Sequence, residues 1–169
     1  KVPLVLPIFI IAPFYPKIEK TTWSDITIRY VEAFVAARYP IRLMSAYGSV
    51  DFTDPESRWR PYSHLFDGET PTTDNFTCLV VGHARDLTDP RKAGGKNKVV
   101  HHVDAKYNVI LTANFPMEYS REDIVALDFY NYVITPTASN AEFFKRKHVN
   151  AIWLPPESAK LAAWFGVLT

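Results

Sequence analysis

The sequence predicts an α/β fold built on a doubly wound, mostly parallel sheet. Short apolar runs bounded by turn residues recur along the chain, at residues 5–12, 41–47, 78–82, 98–103, 108–113, 132–135 and 151–154. Stretches with Ser or Thr starts and helical spacing of apolar residues lie between several of them. That alternation is the signature of strands joined by helical crossovers. The run Cys78-Leu79-Val80-Val81 is continuous rather than alternating, as expected of a strand covered on both faces.

The elements follow in order. Residues 5–12 form the first strand, and a Pro- and Lys-containing loop leads to a helix. Thr22-Trp23-Ser24-Asp25 has the form of a capping box, in which a hydroxyl and an acid three residues on satisfy each other's backbone N–H groups. Ile26, Tyr30, Val31, Phe34 and Val35 then recur at helical spacing, Arg38 falls in the last turn and Pro40 stops the helix. Residues 41–47 give a second strand, so this strand–helix–strand unit implies parallel pairing through a right-handed crossover. Residues 48–77 are the least regular segment, and Trp59, Tyr62, His64, Leu65 and Phe66 should pin a short helix or turns within it. Strands at 78–82, 98–103 and 108–113 follow, then a helix opened by Ser120-Arg121-Glu122-Asp123 that runs to about Tyr130. Residues 132–135 are a short strand. Ser139-Asn140-Ala141-Glu142 reads as a third capping box, on a helix ending in Lys145-Arg146-Lys147-His148, cations that suit a helix C-terminus. A last strand at 151–154 is closed by Pro155-Pro156, with one more short helix at 158–165. The layout is Rossmann-like, and no repeat or linker divides it, so one domain over 1–169 is expected.

Bulk chemistry narrows the function. Apolar residues make up 47% and charged residues 22% of the 169, with a net charge of +1. That is ordinary globular composition, without the basic bias of a nucleic-acid binder. Cys78 is the only cysteine, which excludes an intrachain disulfide and a Cys-rich zinc site and points to a core position in a reducing, cytoplasmic setting. The longest apolar run, residues 4–12 broken by Pro7, is far below the roughly 20 residues of a transmembrane helix.

In an open α/β sheet, ligands bind beyond the carboxyl ends of the strands, which selects the loops at 13–24, 47–48, 82–86, 114–118, 136–139 and 155–157. Gly82-His83-Ala84-Arg85-Asp86 is the most polar of these immediately after a buried strand. His83 can serve as a general acid or base, and Arg85 can hold a phosphate or carboxylate. The plainer reading pairs Arg85 with Asp86 at the surface. His101-His102-Val103-Asp104 carries potential metal ligands, but on a strand only His102 and Asp104 share a side. With His83 and Asp86 they sketch a two-His, carboxylate site, yet no spacing signature joins the halves, and no metal or other cofactor is expected. The stretch Arg91 to Lys98 is not a P-loop, since Pro90 stands where its first Gly belongs and Asn97 where Ser or Thr should bind magnesium. No G-x-G-x-x-G follows the first strand and no G-x-S-x-G is present, so the dinucleotide and α/β-hydrolase fingerprints are missing. Phe14, Tyr15, Trp23, Phe115 and Tyr119 are loop aromatics that could stack on sugar rings, while the plainer reading of each is a core or rim position.

One stretch carries a resemblance. It begins with Val109-Ile110-Leu111-Thr112 and Glu118, then runs through Asp128-Phe129-Tyr130-Asn131-Tyr132-Val133-Ile134-Thr135-Pro136-Thr137. Asn140-Ala141-Glu142-Phe143-Phe144 and the segment from His148 to Pro155-Pro156 complete it. The run resembles the second half of the N-terminal domain of GT-B glycosyltransferases, in particular the retaining family that includes sucrose and glycogen synthases. The resemblance implies glycosyl transfer from a nucleotide-sugar to a glycan or other acceptor. This domain would shape the acceptor side, and a C-terminal domain, absent from this sequence, would hold most of the donor. It carries over His83 and Glu118 as catalytic candidates. Thr137 and Ser139 become acceptor contacts, joined by Arg85 and Asp86, with Thr21 and Thr22 near the interdomain cleft. Lys20-Thr21-Thr22 stands where that family usually has a Gly-Gly pair.

Two other classes remain open. A non-catalytic binding domain with a Rossmann-like shell predicts no effect of His83 or Glu118 on any turnover. A metal-dependent hydrolase using His83, Asp86, His102 and Asp104 predicts stoichiometric zinc.

Overall fold

The computed structural model describes residues 5–12, 22–45, 52–55, 57–66, 75–82, 105–112 and 119–168. The strands are β1 (Ile8–Ala12), β2 (Ile41–Ser45), β3 (Thr77–Val81), β4 (Tyr107–Leu111), β5 (Tyr132–Thr135) and β6 (Ala151–Trp153). The helices are α1 (Thr22–Ala36), α2 (Arg121–Ala126), α3 (Ala138–Arg146) and α4 (Ser158–Gly166), with short 3-10 helices at Arg60–Leu65 and Leu127–Phe129. The strand expected at 98–103 lies outside the described residues.

The six strands make one all-parallel sheet in the order β2-β1-β3-β4-β5-β6. Ile10 of β1 sits opposite Leu43 on one side and Leu79 on the other. Alternation along the strands divides the core in two. On one face Ile8, Ile10, Leu43, Leu79, Val109 and Leu111 pack under Val31 and Phe34 of α1 and Leu161 and Phe165 of α4. On the other, Phe9, Ile11, Cys78, Val80, Ile110 and Val133 pack with Tyr119, Leu127 and Phe144. The chain moves from β1 to β2 through α1 on one face, and from β4 through β5 to β6 with α2 and α3 on the other. Reversing direction and face together preserves the hand of the crossover, as the parallel-sheet rule requires. This is a doubly wound, Rossmann-like α/β fold.

Several elements match their sequence expectations closely. Ser120 and Asp123 form a reciprocal capping box at the start of α2. Cys78 is fully buried and unbonded to another sulfur. Trp59 anchors the segment between β2 and β3, packing its ring near Tyr62 and Phe66, while His64 is exposed.

Others shift for physical reasons. β1 begins at Ile8 rather than at residue 5: Pro7 has no N–H for the ladder, and its carbonyl instead accepts from Thr77 N at 2.9 Å. α1 begins at Thr22, and the capping contacts of the Thr22-to-Asp25 box lie outside the described residues. Val35 is 43% exposed, because the buried face runs through Ile28, Val31 and Phe34 and leaves the next position pointing to solvent. Arg38 is not in the last turn but beyond it, at φ 56°.

Candidate functional site

The order of the strands places the topological switch between β1 and β3, since the chain leaves β1 toward β2 on one side and later returns to β3 on the other. The carboxyl edge beside it is where a doubly wound sheet takes ligands. Gly82 ends β3 there at φ 155°, its N–H donating to Leu111 O at 3.2 Å. His83, Arg85, Asp86, Glu118 and Thr21 lie outside the described residues, as do His101, His102 and Asp104, and Phe14, Tyr15 and Phe115. For Thr22 and Trp23 the structure describes the backbone alone.

What the described residues build at this edge is a row of hydroxyls on β4, β5 and the start of α3. Leu111 pairs with Ile134, so Thr112 comes level with Thr135, and Thr112 N donates to Ile134 O at 3.0 Å. Strand alternation directs both side chains to the α2/α3 face. Both are fully buried. Thr135 Oγ1 donates to Thr137 O at 2.9 Å, but Thr112 Oγ1 has no hydrogen-bond partner among the described residues. Burying a hydroxyl unpaired costs about 1–3 kcal/mol, a cost that among the described residues the Tyr39 hydroxyl carries as well. Thr137 caps α3: it is extended at φ −128° and ψ 145°, and its hydroxyl accepts from Asn140 N at 3.3 Å.

Ser139 is thus inside the first turn of α3 and is not its cap, which corrects the Ser139-to-Glu142 box. The Thr135–Thr137 hydrogen bond turns the chain directly after β5, and the helix begins as soon as that turn is made. Ser139 is left exposed, with its hydroxyl uncommitted to the cap. The backbone N–H groups of Ala138 and Ser139 have no acceptor one turn back. Thr137 and Ser139 are therefore brought together at the carboxyl edge as expected, with different roles.

Tyr119 follows the plainer of its two readings and is core. It is 8% exposed and meets Phe144 edge-to-face at 5.2 Å. Two residues at this edge escaped the sequence reading. Thr112 looked like one more strand residue, and its only signal is a hydroxyl ending the run Val109-Ile110-Leu111. Trp153 is 53% exposed at the end of β6, with Lys160 Nζ 5.7 Å from its ring centroid. Lys160 also pairs with Glu157 at 3.2 Å. The edge is braced from behind by Tyr30 of α1, whose hydroxyl donates to Leu154 O. Burial holds that phenol far above the usual tyrosine range, so it stays a donor.

Among the described residues no group of three His, Cys, Asp or Glu side chains could hold a metal, and no helix is long and apolar enough to cross a membrane. Comparison of the chain with family models, curated proteins and solved structures finds no match in any of the three.

Proposed function

We propose that this chain is the acceptor-side domain of a two-domain glycosyltransferase of the GT-B type. In that reaction an acceptor hydroxyl takes a glycosyl group from a nucleotide-sugar and the nucleoside diphosphate leaves. The observation that carries the reading is the hydroxyl row at the carboxyl edge, on the very segment that resembles that family. β5, the Pro136-Thr137 turn, α3, β6 and the Pro155-Pro156 stop follow one another there. Neutral hydroxyls and first-turn N–H groups suit a polyhydroxy acceptor, which both donates and accepts hydrogen bonds. Thr112 supplies a buried hydroxyl with no partner among the described residues, and Ser139 an exposed one in the first turn of α3. His83 and Glu118 remain the candidates for proton transfer, and the nucleotide-sugar is assigned mainly to a further domain.

The test uses the protein at its native length, incubated with a panel of nucleotide-sugars and simple glycan acceptors. Acceptor-dependent release of nucleoside diphosphate is expected. Thr112→Val and Ser139→Ala should each lower kcat/KM roughly three- to ten-fold, the worth of one neutral hydrogen bond. Thr112→Val should at the same time raise folding stability by about 1 kcal/mol, because the unpaired buried hydroxyl is gone. No release with any donor would sink the transferase. A Thr112→Val protein that is less stable than the wild type would show that this hydroxyl is a structural group. The second reading is a non-catalytic binding domain, for which the hydroxyls and first-turn N–H groups of this edge serve equally well. Glycan binding without turnover at native length would select it.

A further inference from the structure

A separate feature lies at the other end of α3 from Thr137. Between α2 and the C-terminal turn of α3 is an open groove of 640 Å³, within the range of small-molecule sites. Arg121 enters it from α2, and Arg146, Lys147 and His148 from the end of α3. Among the described residues no carboxylate lines it. The nearby Asp123 is committed to the Ser120 capping box. In a chain whose net charge is +1, this is a marked local excess of cations. Arg121 and Arg146 make no ion pair or hydrogen bond among the described residues, and Lys147 Nζ lies 5.8 Å from the Phe143 ring centroid. The floor is apolar, from Ile124, Val125 and Phe143. Val125, on the rim of that floor, is 61% exposed.

We propose that this groove seats the phosphate headgroup of an acidic lipid at a membrane surface. The cations and the apolar floor each fit part of that ligand. Guanidinium and ammonium groups take the phosphate oxygens by charge-assisted hydrogen bonds. Their aliphatic stems lie along apolar surface while the charged heads stay at the polar boundary. A free phosphate would satisfy the cations but leave Val125 in water. An acyl layer covers it, and exposed apolar side chains flanked by cations are how interfacial helices hold to anionic bilayers. The contact is peripheral and needs no spanning helix. It is independent of the transferase reading, since it involves neither the hydroxyl row nor any turnover.

The experiment is co-sedimentation of the full chain with phosphatidylcholine vesicles, with and without phosphatidylglycerol. Binding is expected only to the phosphatidylglycerol vesicles, and it should fall as salt rises. Each interfacial cation contributes about five-fold in partitioning. The triple variant Arg121→Gln, Arg146→Gln, Lys147→Gln should therefore bind about a hundred-fold more weakly. A charge-matched control away from the groove, Arg60→Gln, Lys106→Gln, Lys160→Gln, should stay within about three-fold of the wild type. Val125→Ser should weaken binding and leave its salt dependence unchanged. All the substituted positions except Val125 are exposed cations, and melting curves confirm that each variant folds. Absence of vesicle binding, or equal losses in the two triple variants, would overturn the proposal. So would protection of Lys147 from acylation by inorganic phosphate or dihexanoyl phosphatidic acid without vesicle binding, which would make the groove a site for soluble anions.

Discussion

Arg38 and His148 carry backbone conformations that favour glycine, with φ 56° and 63°. Each occupies the same place, two residues beyond the last residue of its helix. After α1, Arg38 N donates to Val35 O and Tyr39 N to Phe34 O. After α3, His148 N donates to Lys145 O and Val149 N to Phe144 O. This pair of bonds is the Schellman motif, in which a left-handed residue lets two orphan carbonyls be capped. The apolar contact that accompanies it is present too, with Phe34 and Tyr39 rings 5.8 Å apart. A side chain in the left-handed region costs about 1–2 kcal/mol, partly offset by its lower freedom in the unfolded chain. Arg38→Gly should therefore stabilise the fold by about 0.5–1 kcal/mol, and Arg38→Val should destabilise it by at least as much. Urea midpoints compared at constant slope would check both, and a glycine variant that is less stable would refute the cap. No glycine marks either stop, so Pro40 was the only visible terminator of α1, and it acts two residues too late to explain the turn.

At the scale of elements, the cap of α3 separates two neighbouring hydroxyls that look alike in sequence. Thr137 satisfies Asn140 N, whereas Ser139 satisfies no helical donor in the described contacts. Thr137→Ala should lower stability by about 1 kcal/mol, while Ser139→Ala should leave it within about 0.5 kcal/mol, as for an ordinary surface position. If thermal unfolding ranked the two in reverse, the Ser139 box would be restored. The helix itself was legible because Ala141 and Phe144, both buried, lie at helical spacing whichever hydroxyl starts it. The choice of cap was not, because it depends on where β5 ends and on the Thr135 hydroxyl holding Thr137 O, a contact that local spacing does not encode. The same distinction runs through the site. Strand carboxyl ends can be located from apolar runs, so the edge near Thr137 and Ser139 could be named in advance. Whether a residue on that edge is paired depends on the neighbouring strand, so the Thr112 hydroxyl, unpartnered among the described residues, could not be named in advance.

At the scale of the whole molecule, each face of the sheet holds a buried phenol. On the α1/α4 face, Phe34 and Phe165 meet at 5.3 Å, and Tyr30 reaches from α1 to the carbonyl that follows β6. On the other face Tyr130 is buried close to Cys78. Burial drives the Tyr30 and Tyr130 phenols far above the ordinary value of 10.0, and the Cys78 thiol adds a smaller push at Tyr130. Tyr39 and Tyr62 are raised by burial as well. The sign of the resulting pH dependence follows from proton counts. Below pH 10 these phenols are protonated in both states and contribute no slope. As pH rises above 10, the unfolded chain loses their protons while the folded chain keeps them, so unfolding is favoured by about 1.4 kcal/mol per pH unit for each such group. Tyr30 and Tyr130 together should remove about 2 kcal/mol between pH 10 and 11, where the unfolded phenols are still titrating, a sizeable part of the stability of an ordinary domain. The expected result is a cooperative alkaline transition in which phenolate absorbance and loss of ellipticity coincide. Tyr130→Phe should halve the slope contributed by this pair while leaving the acid side of the stability profile unchanged. Phenolate signal appearing well before ellipticity is lost would mean that these hydroxyls ionise in the folded chain, and the buried placement of Tyr30 and Tyr130 would be wrong.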